Sequence, residues 1–341
     1  MVCQWSLRAV VCAAFVCGCA AASLTNPTAA VIGYSFGYVP ALKGLVMAGG
    51  WGEPEWTPRT NVWLLTAPGW KAASPGPAMV YHSSALDTHR NVLVVCGRTN
   101  YPSKCVNAMY EFDGKAWASK PGFVAGVDGD VELAYDSARR RMVACVADSV
   151  NSETWEYDGV NWVKQSTKTH PTAVNTGMLT AFDPLSNVVV LVTITNKPDP
   201  SEPLWSETWT YDGTDWSIRA AGMPTNALMG GMAWDAARSN IVLLTTTSET
   251  WTWNGAAWSR KTPAQTPDPP RWAFTMAYDP LREVSAFFSG ELKTDCCTQV
   301  YPIDTWEWNG SDWRKGTPEP CALFALSLAA VIALRRSAHN H

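Results

Sequence analysis

The sequence predicts an all-β fold, a six-bladed β-propeller made of four-stranded blades. Pairs of aromatic residues seven positions apart recur six times, at intervals of 42 to 55 residues, which is the spacing of propeller blades. Five of the pairs enclose an Asp-Gly or Asn-Gly dipeptide, which favours a tight turn between antiparallel strands. The pairs are Trp63/Trp70, Tyr110/Trp117, Trp155/Trp162, Trp209/Trp216, Trp251/Trp258 and Trp306/Trp313.

Each aromatic pair predicts the two outer strands of a blade, and a segment upstream predicts the two inner strands. In that segment an aromatic-Asp pair precedes a polar turn and a β-branched run, as in AYDSARRRMVACV (134–146) and AFDPLSNVVVLV (181–192). Weaker copies at 85–97 and 37–50 complete six units. We therefore expect a propeller domain over 23–316, with blades at about 29–76, 77–122, 123–170, 171–222, 223–265 and 266–316.

The order of these features resembles that of Kelch repeats in galactose-oxidase-like propellers. In those repeats strand two ends in Gly-Gly, strand three carries an aromatic residue and strand four opens with Trp. Gly49-Gly50 retains the diglycine, whereas Cys96-Gly97 and Ser289-Gly290 retain half of it. The resemblance implies six Kelch-like blades of the bacterial exported type.

The chain has 19 tryptophans, and their regular spacing favours a packing role. Alternate residues of a strand share a face, so Trp155 and Tyr157 point one way and Thr154 points the other. We expect the repeated tryptophans to form the core between blades; a sugar-stacking ladder is the alternative.

Residues 1–22 have the pattern of a secretory signal peptide. Arg8 precedes an apolar run, and Ala20-Ala21-Ala22 offers a small-residue cleavage site. Cys19 lies in a loose lipoprotein box, so lipid attachment there is an alternative.

The C-terminal segment 317–341 has the pattern of a sorting tail. Its apolar stretch 321–334 would span about 21 Å as a helix, less than the ~30 Å core of a bilayer. Pro318-Glu319-Pro320, this stretch and Arg335-Arg336 together resemble the PEP-CTERM signal on which exosortases act in Gram-negative bacteria. The resemblance implies an exosortase-type processing enzyme as a partner and transient membrane association; an ordinary membrane anchor is the alternative.

Two rims follow from the strand order. The strand 1–2 and 3–4 turns share one rim, the turn rim; the 2–3 loops and the links between blades share the other, the connector rim. The connector-rim loops 50–61, 97–107, 195–207 and 291–304 are long and varied, which is typical of binding surfaces. Candidate ligand-binding residues there are Trp51, Trp56, Arg59, Tyr101, Lys104, Trp205 and Tyr301.

The cysteines and histidines do not form a pattern typical of a metal or cofactor site, so we expect neither a metal nor a cofactor. Cys96 and Cys105 bracket one loop and are candidates for a disulfide, and Cys145 is expected as a buried thiol. His82 and His170 fall in different blades without the partners that copper chemistry of the galactose-oxidase type needs. Catalytic residues are therefore not predicted.

The function expected is that of an exported, surface-associated binding module for a polysaccharide or a protein, located in the bacterial envelope, at the cell surface or outside the cell. A structural envelope or matrix protein without a discrete ligand is the alternative, and a carbohydrate-active enzyme is a third reading. The net charge of −4 without a basic stripe disfavours nucleic acid as a partner.

Overall fold

A computed structural model describes residue 27 and residues 31–52, 57–67, 69–99, 108–123, 125–127, 129–148, 150–171, 177–195, 205–219, 230–293 and 299–316. The expected signal peptide at 1–22 and sorting tail at 317–341 lie outside them. Within these ranges no helix has the length and apolarity that crossing a bilayer would require.

The described residues form six four-stranded antiparallel sheets, one in each repeat. Blade one consists of β1 (Ser35–Val39), β2 (Gly44–Ala48), β3 (Val62–Thr66) and β4 (Gly69–Ala72). Blade two consists of β5 (Val80–Asp87), β6 (Val92–Arg98), β7 (Ala108–Phe112) and β8 (Trp117–Lys120). Blade three consists of β9 (Asp130–Asp136), β10 (Arg141–Ala147), β11 (Ser152–Tyr157) and β12 (Trp162–Lys164). Blades four and five are β13 (Met178–Asp183), β14 (Val188–Thr195), β15 (Trp205–Tyr211) and β16 (Trp216–Arg219); β17 (Gly231–Asp235), β18 (Asn240–Leu244), β19 (Thr250–Trp253) and β20 (Trp258–Lys261).

Blade six carries a small extra sheet on its connector side. Its own strands are β22 (Met276–Asp279), β23 (Val284–Phe288), β26 (Thr305–Trp308) and β27 (Trp313–Lys315), and the extra sheet pairs β21 (Arg271–Trp272), β24 (Glu291–Lys293) and β25 (Gln299–Val300) in the order β21-β24-β25. A 3₁₀ turn at Pro40–Leu42 is the helical element described in blade one.

The first strands of the blades surround a central channel. β1 contacts β5, β5 contacts β9, and so on around the ring until β22 contacts β1. The prediction of a six-bladed all-β propeller is confirmed. Side-chain hydroxyls also link neighbouring inner strands, because Thr180 Oγ1 donates to Leu133 O at 3.0 Å and Ser84 Oγ donates to Phe36 O at 3.4 Å.

The predicted Asp-Gly and Asn-Gly turns close the two outer strands of blades two to six, but with only one residue at positive φ. Gly159 has φ 98°, whereas Asp158 uses its carboxylate to accept the amides of Val160 and Asn161 at 2.8 and 2.7 Å. This is an Asx turn, in which the side-chain oxygen accepts amide hydrogens in place of a backbone carbonyl. Asp113, Asp212, Asn254 and Asn309 accept amides in the same way.

The predicted core between blades is confirmed. Each large cluster of buried side chains draws on two adjacent blades, as when Trp209, Tyr211 and Trp216 pack on Val143 and Cys145. In four of the six pairs the second tryptophan also bonds to the blade before it, through its indole N–H and a strand-three hydroxyl. The pairs are Trp216 with Thr154 (2.7 Å), Trp258 with Thr208 (3.0 Å), Trp313 with Thr250 (2.7 Å) and Trp70 with Thr305 (2.8 Å).

An arginine three residues after the turn aspartate forms a second link between blades on the turn rim. Arg139 binds Asp136 at 2.7 Å and Glu156 at 2.5 Å, and Glu156 also accepts the Tyr211 hydroxyl of the next blade at 3.0 Å. The guanidinium lies 5.3 Å from the centre of the Tyr211 ring, a cation–π contact. Blades two and three repeat this arrangement with Asp87, Arg90, Glu111 and Tyr157.

Candidate functional site

The channel has two chemically different ends. A cavity of about 170 Å³ lies at the connector rim, where the inner strands begin, and one of about 340 Å³ lies at the turn rim, where they end. Side chains that line both cavities form a waist between them. These are Ser84, Leu133, Thr180, Met232 and Met276.

The turn-rim end is lined by large apolar and aromatic side chains at the last positions of the inner strands. They are Tyr38, Leu86, Tyr135, Phe182, Trp234 and Tyr278. Two hydroxyls of this ring serve contacts between blades, since Tyr278 accepts the Ala237 amide at 3.1 Å and Tyr135 is hydrogen-bonded to Asp87. The sequence motif behind this ring is the aromatic-Asp pair, which is turn and packing chemistry.

The connector-rim end is amphipathic. Blades two to four supply polar groups from His82, Ser83, Asp130, Glu132 and Thr180. Blades five, six and one supply mainly apolar surface, which comes from Met232, Phe274, Met276 and Ile32, with the Thr275 hydroxyl among them. No lysine or arginine of the described residues lines this cavity.

His82 stands in this cavity as a neutral imidazole. Its Nε2 lies 3.0 Å from Ala48 O, and burial lowers the pKa of the ring to about 4. Nε2–H therefore donates to the carbonyl, and Nδ1 is an acceptor that receives no hydrogen bond within the described ranges. Glycines make room for the ring: a Cβ on Gly49 would lie 3.0 Å from His82 Cε1, and one on Gly97 would overlap the His82 Cβ.

Glu132 and Ser83 form the central hydrogen bond of the cavity. Ser83 Oγ donates to Glu132 Oε2 at 3.1 Å and accepts the Leu133 amide at 3.0 Å. Burial raises the pKa of Glu132 to about 8, and the Asp130 carboxylate adds to the rise, although the hydrogen bond donated by Ser83 opposes it. The Glu132 side chain is therefore mostly a neutral carboxylic acid at pH 7.

Asp130 marks the edge of the cavity and is paired with a cation outside it. Its Oδ1 lies 3.2 Å from Arg98 Nη2, and the same nitrogen donates to Gly129 O at 3.1 Å. Arg98 thus neutralises Asp130.

The structure describes the side chains of three of the seven predicted ligand-binding residues, Trp51, Arg59 and Tyr301. Trp51 is 9% exposed and packs with Ile32 and Val80, with Tyr301 beside them, so these two aromatics support the rim from within. Arg59 Nη2 donates to Gly52 O at 3.0 Å and so braces its own loop. Trp56, Tyr101 and Lys104 lie outside the described residues, as does the Pro318-Glu319-Pro320 motif; for Trp205 only the backbone, at the start of β15, is described.

The cysteine predictions have mixed outcomes. Cys145 is a buried free thiol, as expected. Cys96 is also a buried free thiol, on β6, rather than half of a disulfide; Cys105 lies outside the described residues. Burial raises the pKa of both thiols, to about 12 at Cys145, so both are protonated.

The cavity residues were missed by sequence reasoning because they lie inside strands. The available signal was Glu132 between Val131 and Leu133 in the DVELAYD strand, and the HSS run of the equivalent strand in blade two. A carboxylate at an inward position of a buried strand is rare without a specific role. No group of three or more potential metal ligands occurs in the part of the chain that the structure describes.

No protein-family model and no curated protein matches the sequence. Solved structures share its fold. YjhT is 9% identical over 86% of this chain and 99% of that chain, with a TM-score of 0.56. The Aleuria aurantia lectin in complex with Fucα1-6GlcNAc is 11% identical over 86% of this chain and 100% of that chain, with a TM-score of 0.54. A Bacteroides thetaiotaomicron protein of unknown function is 10% identical over 77% and 68% of the two chains, with a TM-score of 0.52. At these identities the likeness shows the β-propeller fold alone.

Proposed function

We propose that this chain is an exported, surface-associated binding module of Kelch-like type that holds a polysaccharide or protein ligand at its connector rim. The observation that carries the proposal is the amphipathic cavity at the connector end of the channel. Small-molecule sites are typically concave and largely apolar, with a few polar groups that orient the ligand. The cavity is smaller than the ~300–1,000 Å³ of drug-sized ligand sites, which suits the end group of a longer chain.

The opposite rim is less suited to binding because its polar groups are already used. Arg90, Arg139 and Arg282 each pair with a turn aspartate and a strand-three glutamate. Such groups give up their existing partners if they bind a ligand, and an unpaired buried charge is costly.

The connector-rim loops extend the proposed surface beyond the cavity. In sequence, Trp56, Tyr101 and Lys104 fall between the second and third strands of their repeats, and Trp205 begins a third strand, β15; the proposal assigns all four to the connector rim. Aromatic side chains present large, rigid contact areas at low entropic cost. In the proposal these four residues contact the body of a ligand whose end group enters the cavity.

The Aleuria aurantia lectin demonstrates that a protein of this fold can hold a sugar, since its structure contains Fucα1-6GlcNAc. A shared fold does not imply a shared ligand, so the lectin supports only the statement that this architecture is able to bind a sugar.

Export is proposed from the two chain ends. The Arg8-led apolar segment 1–22 would direct secretion, and the tail 317–341, with Pro318-Glu319-Pro320, would be processed by an exosortase-type enzyme after transient membrane association. Mass spectrometry of the protein recovered from envelope and medium fractions tests this. Termini near Ser23 and before the apolar stretch support export and sorting; an intact Met1 terminus contradicts them.

A binding screen tests the module itself. The purified full chain is applied to a broad glycan array with bacterial exopolysaccharide fractions, beside a Trp56→Ala/Trp205→Ala variant and a Trp234→Ala control at the turn-rim end. Glycan binding that only the connector-rim variant loses supports the proposal. Capture of an envelope protein through the same rim supports a protein ligand, absence of every ligand favours a structural role, and turnover of a bound glycan would indicate an enzyme.

A further inference from the structure

We infer that the connector-end cavity binds an uncharged, hydroxyl-rich end group, such as a terminal neutral sugar, and that Glu132 is the hydrogen-bond donor that selects it. The inference rests on the proposed function, because it names the ligand class of the same rim. It depends on which polar groups in the cavity are already paired and which are available.

The cavity offers an anion nothing to pair with. Asp130 and Glu132 line it, and no described lysine or arginine does. Arg98 is held by Asp130 and by the Gly129 carbonyl, so its charge is already neutralised. A carboxylate or phosphate ligand would therefore lose its hydration without gaining a cation.

The protonation of Glu132 follows from every group around it. On its own strand Asp130 is negative, and on β5 His82 is neutral while Ser83 donates a hydrogen bond. On β10 the paired residue Cys145 is a protonated thiol, and on β13 Thr180 presents a hydroxyl. None of these groups carries a positive charge that would stabilise a carboxylate. The buried position of Glu132 therefore favours the protonated form and raises the pKa.

The hydroxyls beside Glu132 have used their protons. Ser83 donates to Glu132 and Thr180 donates to Leu133 O, so each can offer a ligand only lone pairs. His82 Nδ1 also lacks a hydrogen-bond partner among the described residues, but the atom is itself buried and is not offered to a ligand. Among the described side chains that line the cavity, these hydroxyls therefore offer acceptors, and the O–H of Glu132 is the donor.

A ligand that fits this pattern must donate several hydrogen bonds and accept at least one without carrying charge. Sugar hydroxyls do both, and the C–H surface of a pyranose ring matches the apolar half formed by Ile32, Phe274 and Met276. A site built from such groups rejects analogues that leave its buried polar atoms unpaired.

The test is calorimetric or saturation-transfer NMR titration of the full chain with methyl glycosides of neutral hexoses and 6-deoxyhexoses. Glucuronate serves as the anionic probe at pH 7 and pH 9, and glucosamine serves as the cationic probe at pH 7, where its amine is protonated. Binding of a neutral glycoside is expected to weaken roughly tenfold between these pH values, since a group with a pKa near 8 is about nine-tenths protonated at pH 7 and about one-tenth at pH 9.

Variants separate a selecting role from a structural one. Glu132→Gln keeps a donor and an acceptor without titrating, so it is expected to bind the glycoside equally at pH 7 and pH 9. Glu132→Leu is expected to abolish binding; if it does not fold, Thr275→Val, from the opposite wall, replaces it and is expected to weaken binding at both pH values. Asp113→Asn, on the turn rim, is the control that leaves binding unchanged.

Preference for glucuronate or glucosamine, or neutral-sugar binding whose pH dependence survives Glu132→Gln, overturns the inference. If a polysaccharide or envelope protein binds the loop aromatics while the cavity variants have no effect, the inference fails and the proposed binding module stands. If the full chain binds no ligand of any kind, both fail.

Discussion

Trp70 and Thr305 join the first blade to the sixth: the indole N–H donates to the threonine hydroxyl at 2.8 Å across 235 positions of sequence. Around this bond Trp70 packs on Phe288 with ring centres 5.2 Å apart, so the seam is both apolar and hydrogen-bonded. The contact that closes the ring is therefore chemically the same as those between consecutive blades. The acceptor position is the one before the first aromatic of each pair. It is threonine in four blades and Met109 in blade two, whereas Val62 in blade one offers no acceptor.

Replacing the acceptor at the seam tests this bond. Thr305→Val keeps the shape of the side chain but leaves the buried Trp70 N–H unpaired, so we expect a loss of ~1–3 kcal/mol in the free energy of unfolding. Urea denaturation measures it, with Thr60→Val on the exposed surface as the control. Equal stability of the two variants would show that the seam does not depend on this bond.

Adding the missing acceptor in blade one should increase the free energy of unfolding. The Trp117 N–H is buried and has no hydrogen-bond partner among the described residues, and Val62 occupies the position of the threonine acceptor. Val62→Thr should supply that acceptor and raise the free energy of unfolding by ~0.5–1.5 kcal/mol. A destabilised variant would mean that the new hydroxyl does not reach the indole.

The turn-rim arginines should resist conservative replacement. Lysine cannot imitate the planar fork with which Arg139 reaches both Asp136 and Glu156, nor its stacking on Tyr211. We expect Arg139→Lys to lower the free energy of unfolding by ~1–3 kcal/mol. Arg140→Lys, at the exposed neighbouring position, should change it by less than ~0.5 kcal/mol. Similar values for both variants would argue against the arginine link.

Trp216 and Trp155, which belong to pairs in adjacent blades, should contribute different amounts to stability. Trp216 is 2% exposed and bonded to the preceding blade, whereas Trp155 is only partly buried. We expect Trp216→Ala to lower the free energy of unfolding by ~3–5 kcal/mol. Trp155→Ala should lower it by less, because part of the Trp155 ring already contacts water. Thermal and chemical unfolding of both variants provide the comparison, and the reverse order would contradict the assignment of the core.

The stability of the protein should depend on pH through Glu132. Its pKa is raised from 4.5 to about 8, so between these values the folded chain holds a proton that the unfolded chain has released. Its contribution to stability is full below pH 4.5 and decreases as pH rises towards 8. Glu132→Gln should remove this part of the decline in melting temperature between pH 5 and pH 8. An unchanged pH profile in the variant would show that Glu132 ionises normally.

Much of the architecture could be predicted because each blade repeats the same local chemistry. Asp158-Gly159 and its counterparts indicate turns, and Trp209 and Trp216 indicate the buried outer strands. The Asp-x-x-Arg spacing of Asp136 and Arg139 is equally visible in the sequence, but its glutamate and tyrosine partners come from other strands. Those partners could be paired only after adjacent blades were placed side by side.

The candidate site was harder to predict, because its residues are not neighbours in sequence and do not follow the repeat. Loop residues were expected to bind ligand because exposed aromatics between prolines are typical of binding surfaces. Trp51 instead became part of the packing beneath the rim, since an aromatic side chain next to Ile32 and Val80 is more stable out of water. Ser83 and Glu132 lie 49 positions apart, and their hydrogen bond exists only because β5 and β9 are adjacent inner strands.

The sequence by itself determined the number of blades, the four-strand repeat, the turns and the role of the tryptophans, because these depend on periodicity and on contacts repeated in every blade. Tertiary structure alone decided the closure of the ring through Trp70 and Thr305, and the contrast between the two ends of the channel. It also decided the protonated state of Glu132. Ring closure and the channel depend on which inner strands become neighbours. The pKa of Glu132 depends on burial and on nearby charge. These properties therefore arise only when six blades surround one axis.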